Sequence, residues 1–241
     1  MGKKTIYMSM LICAWLAAMP VYASLQQEAS ILADKYRGNF NNVKTLKYEY
    51  QMTIITEGST SGTRTVPRER IVWDKGKGKL KNKTLGTDIK SYVAEAGTRK
   101  LEYCEGSASI MTDSLDDAAS LAMTTPFPGW LWKPEWILPD KPARVREDGA
   151  FLVLVSDDSH PRRELWLNRA TGLLDRFEDT DMRGNVFRVV TCRDWEKIGV
   201  TFVPRSIDEE ITAKQGTYKR NIVLSVSRIN QPITSDEYAL P

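Results

Sequence analysis

The chain has 241 residues, 34 basic and 31 acidic side chains and a formal net charge of +3. A balance so close to neutral excludes a basic nucleic-acid binder. One histidine and three cysteines, one of them in the leader, are too few soft ligands for a zinc site, so no metal is expected.

At the N-terminus, Lys3 and Lys4 precede an apolar run from Ile6 to Ala18 that is too short to span a bilayer and stay there. Pro20 interrupts it, and Val21-Tyr22-Ala23 carries the small-residue pattern that a signal peptidase reads. Cleavage is expected after Ala23. That would leave an exported, periplasmic chain with one domain over 24–241, monomeric and without stable membrane insertion. Cys13 follows Ile12 in mid-run, which argues against a lipid anchor. Two cysteines then remain. Cys104 and Cys192 either pair in the oxidising compartment or stay as two buried thiols too far apart to do so.

Residues 25–40 carry Leu25, Ala29, Leu32 and Tyr36 at helical spacing, and Gly38-Asn39 predicts the helix end. The period then changes. Leu46, Tyr48, Tyr50, Met52 and Ile54 alternate with Lys47, Glu49, Gln51 and Thr53, the pattern of a strand with one buried face.

Nine further extended stretches follow, including "RERIVWD", "FLVLVSDD", "NVFRVVTCRDW" and "YKRNIVLSVSRI". Turn signals such as Ala170-Thr171-Gly172 and Met182-Arg183-Gly184-Asn185 separate them, which predicts an antiparallel meander. A second helix is expected over 114–123, with Ser114 as its N-cap. It leads into "FPGWLWKPEWILP" (127–139), where Pro134 can open a single helical turn and Pro139 stops it. The rings of that segment form either a structural wall or a lid over an apolar space.

Catalytic patterns are thin. His160 sits in a Ser-His-Pro turn, "GSTSG" (58–62) has the wrong spacing for a nucleophile elbow, and "DKGKGKLKNKT" lacks the spacer of a phosphate loop. Glu209 and Glu210 would point to opposite faces of a strand. Lysines at 75, 77, 79, 81 and 83 read either as an anion-binding face or, with Gly76 and Gly78 between them, as a solvated hairpin.

With the strands placed, the chain resembles the LolA/LolB-like superfamily of envelope proteins. "ELWLNRATGLLDRFEDTDMRGNVFRVV" (164–190) is similar to the family's hairpin, "WEKIGVTFVPRSI" (195–207) to its Gly-to-Pro segment, and "INQPITSDEYALP" (229–241) to its closing segment. The resemblance implies a mainly β (α+β) fold. Its single unclosed, strongly curved antiparallel sheet, a half-barrel, wraps around the N-terminal helix and short lid helices.

The resemblance also implies a non-enzymatic carrier or receptor, needing no cofactor, that takes up lipid or the acyl chains of a lipoprotein. Tyr48, Tyr50, Met52 and Trp73 would line the sheet side, and Trp130, Trp132, Trp136 and Leu138 the lid. Carriers of this type hold the lid with an early-strand arginine; Arg64, Arg68 and Arg70 are the candidates here. The alternative is an envelope sensor or interaction module that contacts a protein partner. A glycan-processing enzyme that stacks sugars on the tryptophans ranks third, since no acid pair accompanies them.

Overall fold

The computed structural model describes residues 24–58, 61–74, 79–85, 91–95, 99–104, 107–111, 134, 137–156, 161–214 and 216–238. The signal segment, the helix expected at 114–123, and Trp130, Trp132, Trp136 and His160 lie outside them.

One helix, α1 (24–41), is followed by strands β1 (Thr45–Gly58), β2 (Gly62–Asp74), β3 (Lys79–Thr84), β4 (Ser91–Glu95), β5 (Arg99–Cys104) and β6 (Ser107–Met111). The second series is β7 (Arg144–Asp148), β8 (Phe151–Val155), β9 (Arg162–Asn168), β10 (Leu174–Thr180), β11 (Val186–Ile198), β12 (Thr201–Ala213) and β13 (Gly216–Ile229). Among the described residues these strands form one antiparallel sheet in the order β6-β5-β4-β3-β2-β1-β13-β12-β11-β10-β9-β8-β7. β6 and β7 are its edges, so the sheet is open rather than a closed barrel. Burial can be followed along nine strands, β1, β2 and β7 to β13.

The two meanders meet where β1 pairs with β13 along its whole length, from Leu46↔Ile229 to Gly58↔Gly216. The predicted alternation on β1 is observed: Leu46, Tyr48, Tyr50 and Met52 are buried, and the residues between them are not. Directly paired residues share a face. The inner face therefore continues through Ile71 and Trp73 of β2, Ile222 and Leu224 of β13, and Ile207 of β12 to Val190 and Phe177.

α1 packs its own apolar stripe against this face. Ala29, Leu32, Ala33, Tyr36 and Phe40 are buried in the same cluster, while Ile31 on the other side is 60% exposed. The helix does not stop at Gly38-Asn39 as predicted but runs to residue 41. Tertiary contacts outweigh the roughly 1 kcal/mol that a helical glycine costs. Phe40 is fully buried, with its ring edge-on to Tyr36 at 5.4 Å and tilted against Trp195 at 6.4 Å. Asn39 clamps Phe202 of β12 as well: its Nδ2 donates to the carbonyl, and its Oδ1 accepts from the N–H, both at 2.7 Å.

Three strands were not predicted. β3 takes Lys79, Lys81 and Lys83 into the sheet beside Asp74, Val72 and Arg70, while the turn expected at Gly76 and Gly78 lies outside the described residues. β6 and β7 are edge strands, and β7, "RVRED", is charged enough to discourage edge-to-edge pairing.

Gly216, which opens β13, has φ +142° and faces the backbone of Glu57; a Cβ there would overlap the Glu57 carbonyl. Gly216→Ala should cost about 1–3 kcal/mol in urea unfolding. Gly184→Ala, in a turn where a Cβ meets open space, isolates the φ penalty alone and should cost less.

The C-terminal turn Ser235–Tyr238 closes over the outer face, where Tyr238 packs on Val72. Glu237 accepts a hydrogen bond from Lys47 at 2.8 Å, and the Arg228 guanidinium lies 3.4 Å away. The Lys47 bond is the main reason that Glu237 is held below the ordinary value of 4.5. A carboxylate with a lowered folded-state pKa stabilises above its unfolded value and loses that contribution as pH falls through the folded value. Glu237→Gln should therefore cost about 1 kcal/mol or less at pH 7. Below both pKa values, wild type and variant should unfold at the same denaturant concentration.

Candidate functional site

The inner face of the sheet is the candidate site, and its character changes along the strands. At the end nearest residue 45 it is apolar. Tyr48 and Tyr50 stack at a tilt, 6.4 Å apart, with Met52, Ile71 and Trp73 around them. All four sheet-side residues predicted to line the site, Tyr48, Tyr50, Met52 and Trp73, are thus brought together, each at most 5% exposed. The Tyr50 hydroxyl donates to Glu69 on β2.

The segment leading in from the predicted lid is fastened to this core. The Pro134 carbonyl accepts from the N–H of Ile137 at 3.1 Å and of Leu138 at 2.9 Å, which is the single helical turn expected there. Ile137 and Leu138 are buried in the main cluster, and Arg37 of α1 donates to the Pro139 carbonyl at 3.1 Å. Leu138, expected from sequence to line the lid, is thus packed in the core.

Among the described residues, the Tyr36 hydroxyl and the Trp73 indole N–H in this interior, and the Thr201 hydroxyl at the start of β12, are buried with no hydrogen-bond partner. Leaving such a group buried and unpaired costs about 1–3 kcal/mol. Burial pushes the Tyr36 phenol well above its usual range, with the Cys192 sulfur nearby adding to the effect. Cys192 is a free, buried thiol, and burial raises its pKa as well, with Asp175 and Asp208 contributing. Cys104 lies on β5, separated from Cys192 on β11 by β4, β3, β2, β1, β13 and β12.

The three arginine candidates divide between faces. Arg70 donates to Glu49 from Nε at 2.9 Å and from a terminal nitrogen at 2.6 Å, and Arg68 lies 3.6 Å from the same carboxylate. Glu49 alternates with Tyr48 and Tyr50, so this cluster is on the outer face. Arg64 is exposed and pairs in register with Ile54, which places it on the inner side.

Sequence reasoning missed the other end of the inner face. There the apolar rows give way to a ladder of charges across β9 to β13. Arg163 makes a two-point contact with Asp179, at 2.5 and 2.8 Å, and Arg188 lies 3.6 Å from the same carboxylate. Arg188 then donates to Glu209 at 2.8 Å, and Arg220 reaches the second Glu209 oxygen at 3.1 Å. Phe177 is fully buried beneath, with the Arg163 and Arg188 guanidiniums 5.0 and 5.2 Å from its ring centre. The available signal was parity: Arg163 with Leu165, Asp179 with Phe177, Arg188 with Val190 and Glu209 with Ile207.

An open antiparallel sheet with a helix laid on its apolar face defines a class already represented among solved structures. A LolA superfamily protein from Nitrosomonas europaea matches with a TM-score of 0.51 at 12% identity, over 85% of this chain and 96% of that one. A DUF1329 family protein from Desulfovibrio piger matches with a TM-score of 0.53 at 12% identity, over 89% and 97%. An outer membrane lipoprotein-sorting protein domain from Vibrio parahaemolyticus matches with a TM-score of 0.50 at 11% identity, over 86% and 94%. No family model and no curated protein matches the sequence. The chain has the LolA-like fold; at these identities the likeness is one of fold alone.

Proposed function

We propose that the protein is a periplasmic carrier or receptor for an apolar, acylated ligand, lipid or lipoprotein acyl chains, held between the inner face of the sheet and the lid expected over residues 127–139. The ligand would lie against Tyr48, Tyr50, Met52 and Trp73, with Leu138, Trp130, Trp132 and Trp136 on the opposite side. Burial of acyl chain would drive binding at about 0.8 kcal/mol per CH₂, offset by ordering of the chain.

The observation that carries this reading is that two donors in the apolar interior, Tyr36 O–H and Trp73 N–H, have no partner among the described residues. A purely structural core is better served by Phe and Leu at such positions. An acceptor carried part-way along a bound lipid, such as a second ester or amide carbonyl remote from the head, would supply what these donors lack. The fold supports the reading too, since two of the structures named above carry LolA or lipoprotein-sorting names.

The test is lipid extraction and mass spectrometry of protein purified from the periplasm, with uptake of a fluorescent fatty acid in parallel. Acyl species at near-stoichiometric amounts are expected. No co-purifying lipid together with no uptake would overturn the proposal.

A further inference from the structure

Among the described residues, the outer end of the charged ladder on the inner face is cationic. Arg163, Arg188 and Arg220 face two carboxylates, Asp179 and Glu209, both buried and both engaged on two sides. Exposure of the arginine side chains rises from 17% at Arg163 to 26% at Arg188 and 39% at Arg220. The ladder therefore opens toward β13 and ends on a cation. Arg220 and Arg64 both pair in register with Ile54, one from each side, so two arginines flank a single apolar residue, their strands about 10 Å apart. Arg220 spends one terminal nitrogen on Glu209, and Arg64 has no ion pair among the described residues.

These arginines close off the apolar face at one end. From Ile54 to Leu46 the inner face runs along β1 for eight residue steps, about 26 Å. That exceeds the reach of one leaflet's acyl chain, half of a hydrocarbon core roughly 30 Å thick. A long alkyl chain laid along Met52, Tyr50 and Tyr48 would thus have its head beside Arg220 and Arg64.

We propose that Arg220 and Arg64 receive the anionic head, carboxylate or phosphate, of the amphiphile whose alkyl chain occupies the apolar inner face. This assignment rests on the carrier reading and adds the charge of the ligand to it. Guanidiniums suit the role because they give oxyanions paired, charge-assisted hydrogen bonds. The buried acids hold the inner members of the ladder in place while leaving its outer end cationic.

The experiment compares a fluorescent long-chain fatty acid at pH 8 with its methyl ester, on the intact mature protein. Wild type should bind the acid about tenfold more tightly than the ester, the size of one charge-assisted hydrogen bond. Arg220→Gln and, separately, Arg64→Gln should weaken the acid toward the ester's affinity and leave the ester unchanged. Since Arg64 is exposed, its variant tests the idea even if Arg220→Gln folds poorly. Equal binding of acid and ester by wild type overturns the head-group assignment and leaves the carrier reading standing. Binding of neither overturns both. Displacement of acid and ester alike by millimolar inorganic phosphate overturns it in favour of a free-anion site.

Discussion

Phe40→Ala should destabilise the protein by about 3–5 kcal/mol, the cost of emptying a fully buried aromatic site. Phe40 lies at the last turn of α1, and its ring spans from Tyr36 on the helix to Trp195 on β11. The substitution removes the contact area, leaves a cavity between helix and sheet, and weakens the reason for α1 to continue past Gly38. The Asn39 clamp on Phe202 would remain, so the helix should loosen at its end rather than detach. Thermal unfolding should fall by about 6–20 °C, taking roughly 2–4 °C per kcal/mol for a chain of this size. Ile31→Ala, on the solvent side of the same helix, should stay within about 0.5 kcal/mol of wild type. Similar effects from both would mean that α1 does not anchor the sheet as the structure has it.

The same residue shows where sequence reading succeeds and where it stops. Leu25, Ala29, Leu32 and Tyr36 declare a helix because their spacing is local, and Leu46 to Ile54 declare a strand for the same reason. The end of the helix is not local. Gly38-Asn39 is a good stop signal, and it is overridden by contacts from Trp195 and Phe202, more than 150 positions away. β7 went unpredicted because "RVRED" has no apolar face to read; it is a strand because β8 offers it partners from Arg144↔Val155 to Asp148↔Phe151.

The site divides in the same way. Tyr48, Tyr50 and Met52 were legible from alternation on one strand, and Trp73 from its place in an apolar run. Arg68 and Arg70 looked like Arg64 in sequence. Only the pairing with β1 sets them on Glu49 at the outer face. The ladder was least legible. Each strand gives it one charge, and nothing short of the full register brings Arg163, Asp179, Arg188, Glu209 and Arg220 into line. Alternation along β12 does separate Glu209 from Glu210: Glu209 is buried and Glu210 exposed. The partners of Glu209 are arginines on the two neighbouring strands, Arg188 and Arg220, rather than a second acid.

Asp179→Leu should be as damaging as the loss of Phe40, and for an electrostatic reason. Asp179 is 2% exposed, holds Arg163 at two points and faces Arg188 on its other side. Taking it away leaves two guanidiniums over Phe177 with one carboxylate fewer, and breaking a buried pair from one side costs about 3–5 kcal/mol. Arg163→Met combined with Asp179→Leu removes the unpaired charge along with the pair. The double variant should recover most of the loss, since buried pairs replaced by apolar residues of similar size are often near neutral. The measurement is urea unfolding of wild type, both single variants and the double, analysed as a cycle. A coupling of about 2 kcal/mol or more is expected. Additive losses would show that Arg163 and Asp179 act independently, and the ladder would then reduce to separate surface charges. Arg188, Glu209 and Arg220 are untouched in these variants. Fatty-acid binding by the double variant should therefore persist, which separates the part of the ladder that holds the fold from the part assigned to a ligand.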